Sequence, residues 1–173
     1  MRSLKALRPV LIAFAVAALI LGITANRIFS GMREAPEVQF ATLKGELLRM
    51  SDLRGKVVLV NFWATSCAPC VREMPQLAAQ HARYAAQGLE TVAVAMDYDP
   101  PNLVADFTLR FALPFRVAMD ARGEIAQRFG GVPAVPSSFL VDRQGRIVLK
   151  RLGELDFEAL KPVLESALKA PPA

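Results

Sequence analysis

The hydrophobic positions of the chain follow two spacings, one typical of strands and the other of helices. A run of β-branched and aliphatic residues from Val57 predicts a strand buried on both faces, and Leu89 to Met96 predicts another. Between them, apolar residues recur at helical spacing after Cys70, so we expect a helix to about Gln87 that stops at Gly88. The pattern therefore predicts a strand–helix–strand unit at the centre of the domain.

Shorter patterns surround this unit. The remaining predicted elements are strands at Val38 to Leu43 and Leu47 to Met50, a helix starting at Asp99-Pro100-Pro101, a strand at Phe115 to Met119, a helix at Arg122 to Phe129, a hairpin of Ser137 to Val141 and Ile147 to Arg151, and a helix at Phe157 to Lys169. Strands alternate with helices and then finish as an antiparallel hairpin. The predicted fold class is therefore α/β, with a mixed central sheet covered by helices on both faces.

The N-terminal segment differs from the rest of the chain in composition. Residues 1–8 are basic, and Pro9 to Ala25 form an uncharged apolar run. We expect a retained signal-anchor helix, which needs roughly 17 to 25 apolar residues, and a cleaved signal peptide is the alternative. Either interpretation gives residues 1–25 as an export segment, 26–36 as a linker and 37–173 as the folded domain.

The basic character of the chain belongs to this segment. The net charge is +5 and the pI is about 9.6, values that would suit a nucleic-acid-binding protein. However, five of the 21 basic residues lie within residues 1–33, which contain no acid, so residues 34–173 carry 16 basic and 16 acidic residues. We therefore expect no nucleic-acid partner.

The chain has only two cysteines, Cys67 and Cys70, placed between the predicted central strand and the helix that follows it. Unpaired amides and the positive end of the helix dipole favour a thiolate at Cys67. A thiolate beside a second cysteine is suited to thiol–disulfide exchange. The alternatives are two structural thiols or half of a zinc site, but two thiolates alone leave a zinc site incomplete. We therefore expect a redox-active pair, with no metal and no other cofactor.

Several motifs surround this pair. They are Asn61 to Cys70, Glu73-Met74-Pro75, Val135 to Asp142 and Gln144 to Ile147. Together they resemble the thioredoxin superfamily and, within it, the membrane-tethered TlpA/ResA-like thiol–disulfide oxidoreductases. The resemblance covers about residues 35–170 and implies a thioredoxin-like fold with an N-terminal β-hairpin extension.

The resemblance also implies chemical roles. Cys67 matches the attacking cysteine of the family and Cys70 the resolving one. Ordinary thioredoxins have a buried acid where this chain has Asn61, so another group must take the proton of Cys70. Glu73 matches the acidic position of the ResA-like branch and is the candidate, with an exposed helical glutamate as the alternative. Ser66 departs from the family, which usually has tryptophan there.

The same motifs predict a substrate-binding surface. Pro136 matches the proline that follows a cis peptide bond and packs against the redox pair, and Val135 would offer its backbone to an extended substrate segment. The predicted surface is completed by Trp63, which is also expected to serve as core and site wall, and by Ala68 and Pro69.

The function implied by the resemblance is an extracytoplasmic thiol–disulfide oxidoreductase that reduces disulfides in exported proteins. Apocytochrome c and copper-site assembly proteins are the implied substrates, and an integral-membrane electron donor would re-reduce the pair. We expect a bacterial inner-membrane protein anchored through residues 9–25 with its domain in the periplasm, or a soluble periplasmic protein after cleavage. A periplasmic disulfide oxidase or isomerase and a non-catalytic, membrane-tethered binding module remain the alternatives.

Three other polar residues receive structural interpretations. His81, the only histidine of the chain, is expected to lie in solvent on the helix after the cysteine pair. A surface acidic patch is one interpretation of Asp97 and Asp99, but an ordinary loop between a strand and a helix explains them adequately.

Overall fold

The computed structural model describes residues 33–171. The chain divides into two units, Met1–Arg33 and Glu34–Ala173, and the described residues make up almost all of the second. The predicted export segment, and most of the predicted linker, lie outside these residues. Within the described range, no helix is long and apolar enough to cross a membrane.

The domain contains seven strands and four α-helices within residues 33–171. The strands are β1 (Gln39–Thr42), β2 (Leu47–Arg49), β3 (Val57–Trp63), β4 (Leu89–Ala95), β5 (Arg116–Met119), β6 (Ser137–Val141) and β7 (Ile147–Leu152). The helices are α1 (Ala68–Tyr84), α2 (Pro101–Arg110), α3 (Glu124–Arg128) and α4 (Phe157–Lys169), with short 3₁₀ turns at Met50–Leu53 and Ala85–Gln87. The strand bounds lie within one residue of those predicted.

The helix ends show the local causes of these bounds. Gly88 adopts the left-handed conformation (φ 102°) after the 3₁₀ turn that extends α1, as expected for a helix stop. The short helix α3 begins at Glu124 rather than at Arg122, because Gly123 is also left-handed (φ 70°) and breaks the helical path. The carboxylate of Asp120 then accepts hydrogen bonds from two amides in the first turn of α3, which fixes its start.

The strands form one mixed sheet in the order β2-β1-β5-β4-β3-β6-β7. The central strands β3, β4 and β5 are parallel, while β6 and β7 on one side and the β1–β2 hairpin on the other are antiparallel. This confirms the predicted mixed sheet with an N-terminal hairpin extension.

The central strand β3 alternates its side chains between two cores. Val57, Leu59 and Trp63 pack into a cluster shared with α1, α2 and α4. Val58, Val60 and Phe62 pack into a second cluster that includes residues of α3 and of the 3₁₀ turn Met50–Leu53. Helices therefore cover both faces, as predicted, although three of the four lie on the first. Asn61 is the one polar residue of β3, and its side chain lies toward α1.

Candidate active site

The two cysteines form a disulfide at the junction of β3 and α1. Cys67 is the N-cap of α1, and its Sγ accepts a hydrogen bond from the backbone N–H of Cys70 at 3.2 Å. Cys67 is half-buried, whereas Cys70 is only 1% exposed. The two sulfurs therefore differ in access: an incoming group reaches Cys67 from solvent, but not Cys70.

A proline loop lies against the accessible sulfur. The peptide bond between Val135 and Pro136 is cis, as expected from the resemblance. The carbonyl oxygen of Val135 lies 3.6 Å from Sγ of Cys67, and Val135 is half-buried while Pro136 is buried. The structure thus brings the two predicted halves of the site together, although 68 residues separate them along the chain.

Glu73 is buried rather than exposed on α1. It is 4% exposed, so the alternative of a solvent-facing helical glutamate is wrong. One carboxylate oxygen, Oε1, accepts a hydrogen bond from the amide of Asn61 at 2.9 Å, and the other, Oε2, accepts one from the backbone N–H of Leu155 at 2.7 Å. Burial raises the pKa of Glu73 above its usual value, and the two hydrogen bonds partly oppose that rise.

Asn61 connects Glu73 to the strand that follows the proline loop. Its side-chain nitrogen also donates to the hydroxyl oxygen of Ser138 at 2.9 Å, and Asn61 and Ser138 face each other in the β3–β6 register. Its carbonyl oxygen, Oδ1, is buried without a hydrogen-bond partner among the described residues. Sequence reasoning missed Ser138 and Leu155, although a polar residue in each of two facing apolar strands was a usable signal for Ser138.

The remaining predicted substrate-binding residues differ in exposure. Trp63 is fully buried and packs on Phe107, with ring centroids 5.1 Å apart, so it is a core residue, as expected, but not part of an exposed substrate-binding surface. Ala68 is exposed and Pro69 is half-buried next to the accessible sulfur. Ser66 is exposed as well, so it presents a small polar surface beside Cys67.

Asp99 is not part of a surface patch, and that interpretation is wrong. It is 2% exposed, and its carboxylate accepts hydrogen bonds from the backbone N–H of Thr65 at 2.6 Å and from the Thr65 hydroxyl at 2.5 Å. Asp97, two residues earlier, is exposed. Because Thr65 belongs to the turn before Cys67, Asp99 fixes the backbone that leads into the cysteine pair.

His81 is half-buried, so the prediction of a solvent-exposed histidine is wrong. Its ring lies edge-on to Phe115 with centroids 5.8 Å apart, and Nδ1 lies 3.2 Å from the Thr91 hydroxyl. Burial lowers the pKa of His81 below its usual value. His81 is half-buried because it lies on the face of α1 that packs on β4 and on Phe115, the residue before β5.

Comparison with known proteins places these features in a family context. Residues 30–168 match the family model described as Redoxin. The chain is 36% identical to the thiol–disulfide oxidoreductase ResA of Bacillus thuringiensis subsp. konkukian over 134 residues, which is 77% of this chain and 76% of ResA.

Two solved structures share the fold. One, a Neisseria meningitidis protein provisionally named a thioredoxin, has 34% identity and a TM-score of 0.73, covering 78% of this chain and 90% of that one. The other, a Chlorobium tepidum protein provisionally named thiol:disulfide interchange protein DsbE, has 32% identity and a TM-score of 0.73, covering 79% and 96%. The thioredoxin-like fold is thereby confirmed.

Proposed function

Since the chain belongs to the Redoxin family and is a ResA-like thiol–disulfide oxidoreductase, we propose that it is an extracytoplasmic reductant of disulfides in exported proteins. The observation that carries the proposal is the unequal access of the two sulfurs. Cys67 is half-buried at a helix N-terminus, and Cys70 is 1% exposed behind it. This arrangement suits one cysteine that attacks a large substrate and one that acts only afterwards.

The reaction begins at Cys67 in the reduced protein. The Cys67 thiolate, stabilised by the N–H of Cys70 and by the helix N-terminus, attacks one sulfur of a substrate disulfide. A mixed disulfide forms, and the other substrate sulfur leaves as a thiolate that takes a proton from water. The Cys70 thiolate then attacks Sγ of Cys67, which closes the intramolecular disulfide and releases the second substrate thiolate. Two electrons pass from the protein to the substrate.

Glu73 acts as the proton acceptor in the second step. The thiol of Cys70 must lose its proton before it attacks, and burial keeps water away from it. Glu73 lies one turn further along α1, and burial raises its pKa toward the range in which a carboxylate takes a proton from a thiol. The carboxyl later returns the proton to solvent.

The substrate segment lies across the proline loop. The backbone of Val135, half-buried beside Sγ of Cys67, pairs with an extended peptide, and the cis bond to the buried Pro136 fixes its direction. Ala68 and Pro69 border the accessible sulfur on the α1 side. Substrates with a disulfide in a flexible segment suit this surface best.

The direction and the partners are proposed from the sequence and the family. Pro69 stands before Cys70 where oxidising relatives have histidine, which favours a reductant. The apolar run of residues 9–25 anchors the chain in the bacterial inner membrane with its domain in the periplasm. Apocytochrome c and copper-site assembly proteins are the proposed substrates, and an integral-membrane thiol protein is the proposed electron donor.

A trapping experiment tests the roles of the two cysteines. The full-length Cys70→Ser variant, expressed in bacterial membranes, should accumulate mixed disulfides through Cys67 that disappear with dithiothreitol on electrophoresis. The matched control, Cys67→Ser combined with Cys70→Ser, should show none. If the single variant also traps nothing, the chain does not form a covalent intermediate and the proposed mechanism fails.

A further inference from the structure

Asn61 is placed between two strands and a helix with no contact to solvent. It is 0% exposed in the middle of β3, and its amide nitrogen is shared between Glu73 Oε1 and Ser138 Oγ, each 2.9 Å away. Its own oxygen, Oδ1, has no hydrogen-bond partner among the described residues. A buried amide that uses only its donor side fits a neighbouring carboxylate, which accepts hydrogen bonds and has none to give.

The two oxygens of Glu73 are not equivalent toward a proton. Oε2 accepts the backbone N–H of Leu155 at 2.7 Å, and a backbone N–H is always a donor. If the proton sits on Oε1 instead, the hydrogen bond from Leu155 to Oε2 is kept. The new O–H group would, however, point at the amide N–H of Asn61. In the observed orientation, two donors would then face each other at 2.9 Å.

A half-turn of the Asn61 amide about its Cβ–Cγ bond removes this conflict. The rotation exchanges Oδ1 and Nδ2, so the oxygen moves to the place from which Glu73 Oε1 and the Ser138 hydroxyl are both within hydrogen-bond distance. There it accepts from the protonated Glu73, and the Ser138 hydroxyl, which acts as donor or acceptor, turns its proton toward it. The reversed amide leaves the two N–H donors of Nδ2 where Oδ1 now lies, so the observed orientation is the better one whenever Glu73 is ionised.

We propose that Asn61 is a positioning residue whose amide reverses when Glu73 gains or loses a proton. The inference deepens the proposed function, because it rests on Glu73 as the acceptor of the Cys70 proton. When the Cys70 S–H bond breaks and the Glu73 O–H bond forms, Asn61 changes from donor to acceptor. The buried site then holds either protonation state without a broken hydrogen bond to Glu73, and Ser138 carries the change to β6, next to the proline loop.

Among the groups around Glu73, Asn61 is the one whose hydrogen bonding changes when Glu73 gains or loses a proton. Cys70 lies on the same helix, and Glu154 lies next to Leu155 in the segment before α4. Glu154 disfavours a charge on Glu73, but it is solvent-exposed and forms an ion pair with the exposed Arg72. β3 and β6 contribute the neutral side chains of Asn61 and Ser138.

The direct test is a pH titration of the full-length, reduced chain in detergent by NMR, with labelled glutamate carboxyl and asparagine amide groups. We expect the Asn61 amide signals and the Glu73 carboxyl signal to shift with the same midpoint. The exposed Asn102 amide on α2 is an internal control and should stay constant. In Glu73→Gln, the Asn61 signals should no longer titrate. Asn61 signals that stay constant while Glu73 titrates would overturn the proposal.

A kinetic test uses Asn61→Leu, which removes the donor without adding charge. The midpoint of Glu73 should rise, because the ionised form loses a hydrogen bond, and the rate of disulfide reduction should fall about tenfold at pH 7 and recover at higher pH. A uniform loss at all pH values would indicate a merely structural role and would contradict the proposal. If Asn61→Leu does not fold, the titration of the unsubstituted chain decides. If Glu73→Gln reduces substrates at the normal rate, the role of Glu73 fails, while the NMR result still decides the amide reversal.

Discussion

Two buried glutamates, one on α1 and one on β4, show what distinguishes the site from the scaffold. Glu73 on α1 is 4% exposed and Glu90 on β4 is 6% exposed. The carboxylate of Glu90 forms ion pairs with Lys56 at 3.3 Å and with Arg116 at 2.5 Å. Within residues 33–171, Glu73 has no ion pair, and its two oxygens contact only the neutral donors of Asn61 and Leu155.

The difference teaches that burial alone does not mark a functional carboxylate. Lys56 and Arg116 both form ion pairs with Glu90, and the hydrogen bond from Arg116 to Glu90 raises the pKa of Arg116. Glu90 therefore serves to join three strand ends of the scaffold. Neutral donors hold Glu73, and burial raises its pKa. A buried carboxyl with neutral partners, one helical turn after a cysteine of the disulfide, is suited to move a proton.

The largest expected contrast is in the rate of disulfide reduction. Glu73→Gln keeps the shape of the side chain but removes the proton acceptor, so the rate at pH 7 should fall about 100-fold. Glu90→Gln should leave the rate within about twofold, because Glu90 lies far from the redox pair in the fold and takes no part in the chemistry. Both rates are measured by reduction of a peptide disulfide under the same conditions.

A pH series sharpens this contrast. The loss in Glu73→Gln should shrink as the pH rises, because hydroxide then removes the proton of Cys70 without help. Equal rates for the two variants at pH 7 would contradict the assignment of different roles to the two glutamates.

A smaller contrast is expected in stability. The pKa of Glu73 is higher in the folded chain than the ordinary value of 4.5, so the stability linked to its protonated form is fully present below pH 4.5 and is lost as the pH rises through the folded value. The glutamine of Glu73→Gln does not ionise, so the variant does not lose this stability as the pH rises. Its stability relative to the unsubstituted chain should therefore increase with pH. Glu90→Gln should be less stable by about 1–2 kcal/mol at pH 7, because its half-exposed cations lose their partner.

Urea unfolding of the oxidised chain, followed by the fluorescence of Trp63, measures both effects, since Trp63 is the only tryptophan of the sequence and is fully buried. A stability of Glu73→Gln that falls with pH relative to the unsubstituted chain would mean that burial does not raise the pKa of Glu73.

Local patterns were sufficient to predict the elements and the redox pair. The apolar run from Val57, interrupted only by Asn61, predicted a central strand, because β-branched residues on both faces suit a strand that is covered on both sides. Gly88 marked the end of α1 and its 3₁₀ extension, because a left-handed residue was needed there. The pairing of Cys67 with Cys70 could be predicted without tertiary information, since both residues lie within the first turn of the same helix.

The environment of Glu73 could not be predicted in the same way. Leu155 is 82 residues away and donates through its backbone, which has no side-chain signature. Ser138 is 77 residues from Asn61, and their contact requires the register of β3 against β6. Asp99 reaches Thr65 because a loop after β4 lies beside the turn after β3, and this depends on the neighbouring positions of the two parallel strands.

The error over His81 has a different origin, because its signal was local. Leu77 and Tyr84, four residues before His81 and three after it, are both buried on α1. Helical spacing places His81 on the same face, so its half-burial followed from the period. The prediction relied on the polarity of the His81 side chain and not on its position in the helical period.

The most direct test of the account is the equilibrium reduction potential of Cys67–Cys70 in the full-length chain, measured in glutathione or dithiothreitol buffers with Trp63 fluorescence as the readout. A reductant requires a stable disulfide, so the account predicts a strongly negative potential, close to the value of about −270 mV that is typical of thioredoxin. A potential near about −120 mV, typical of a strong oxidant, would contradict it and would identify the chain as a donor of disulfides.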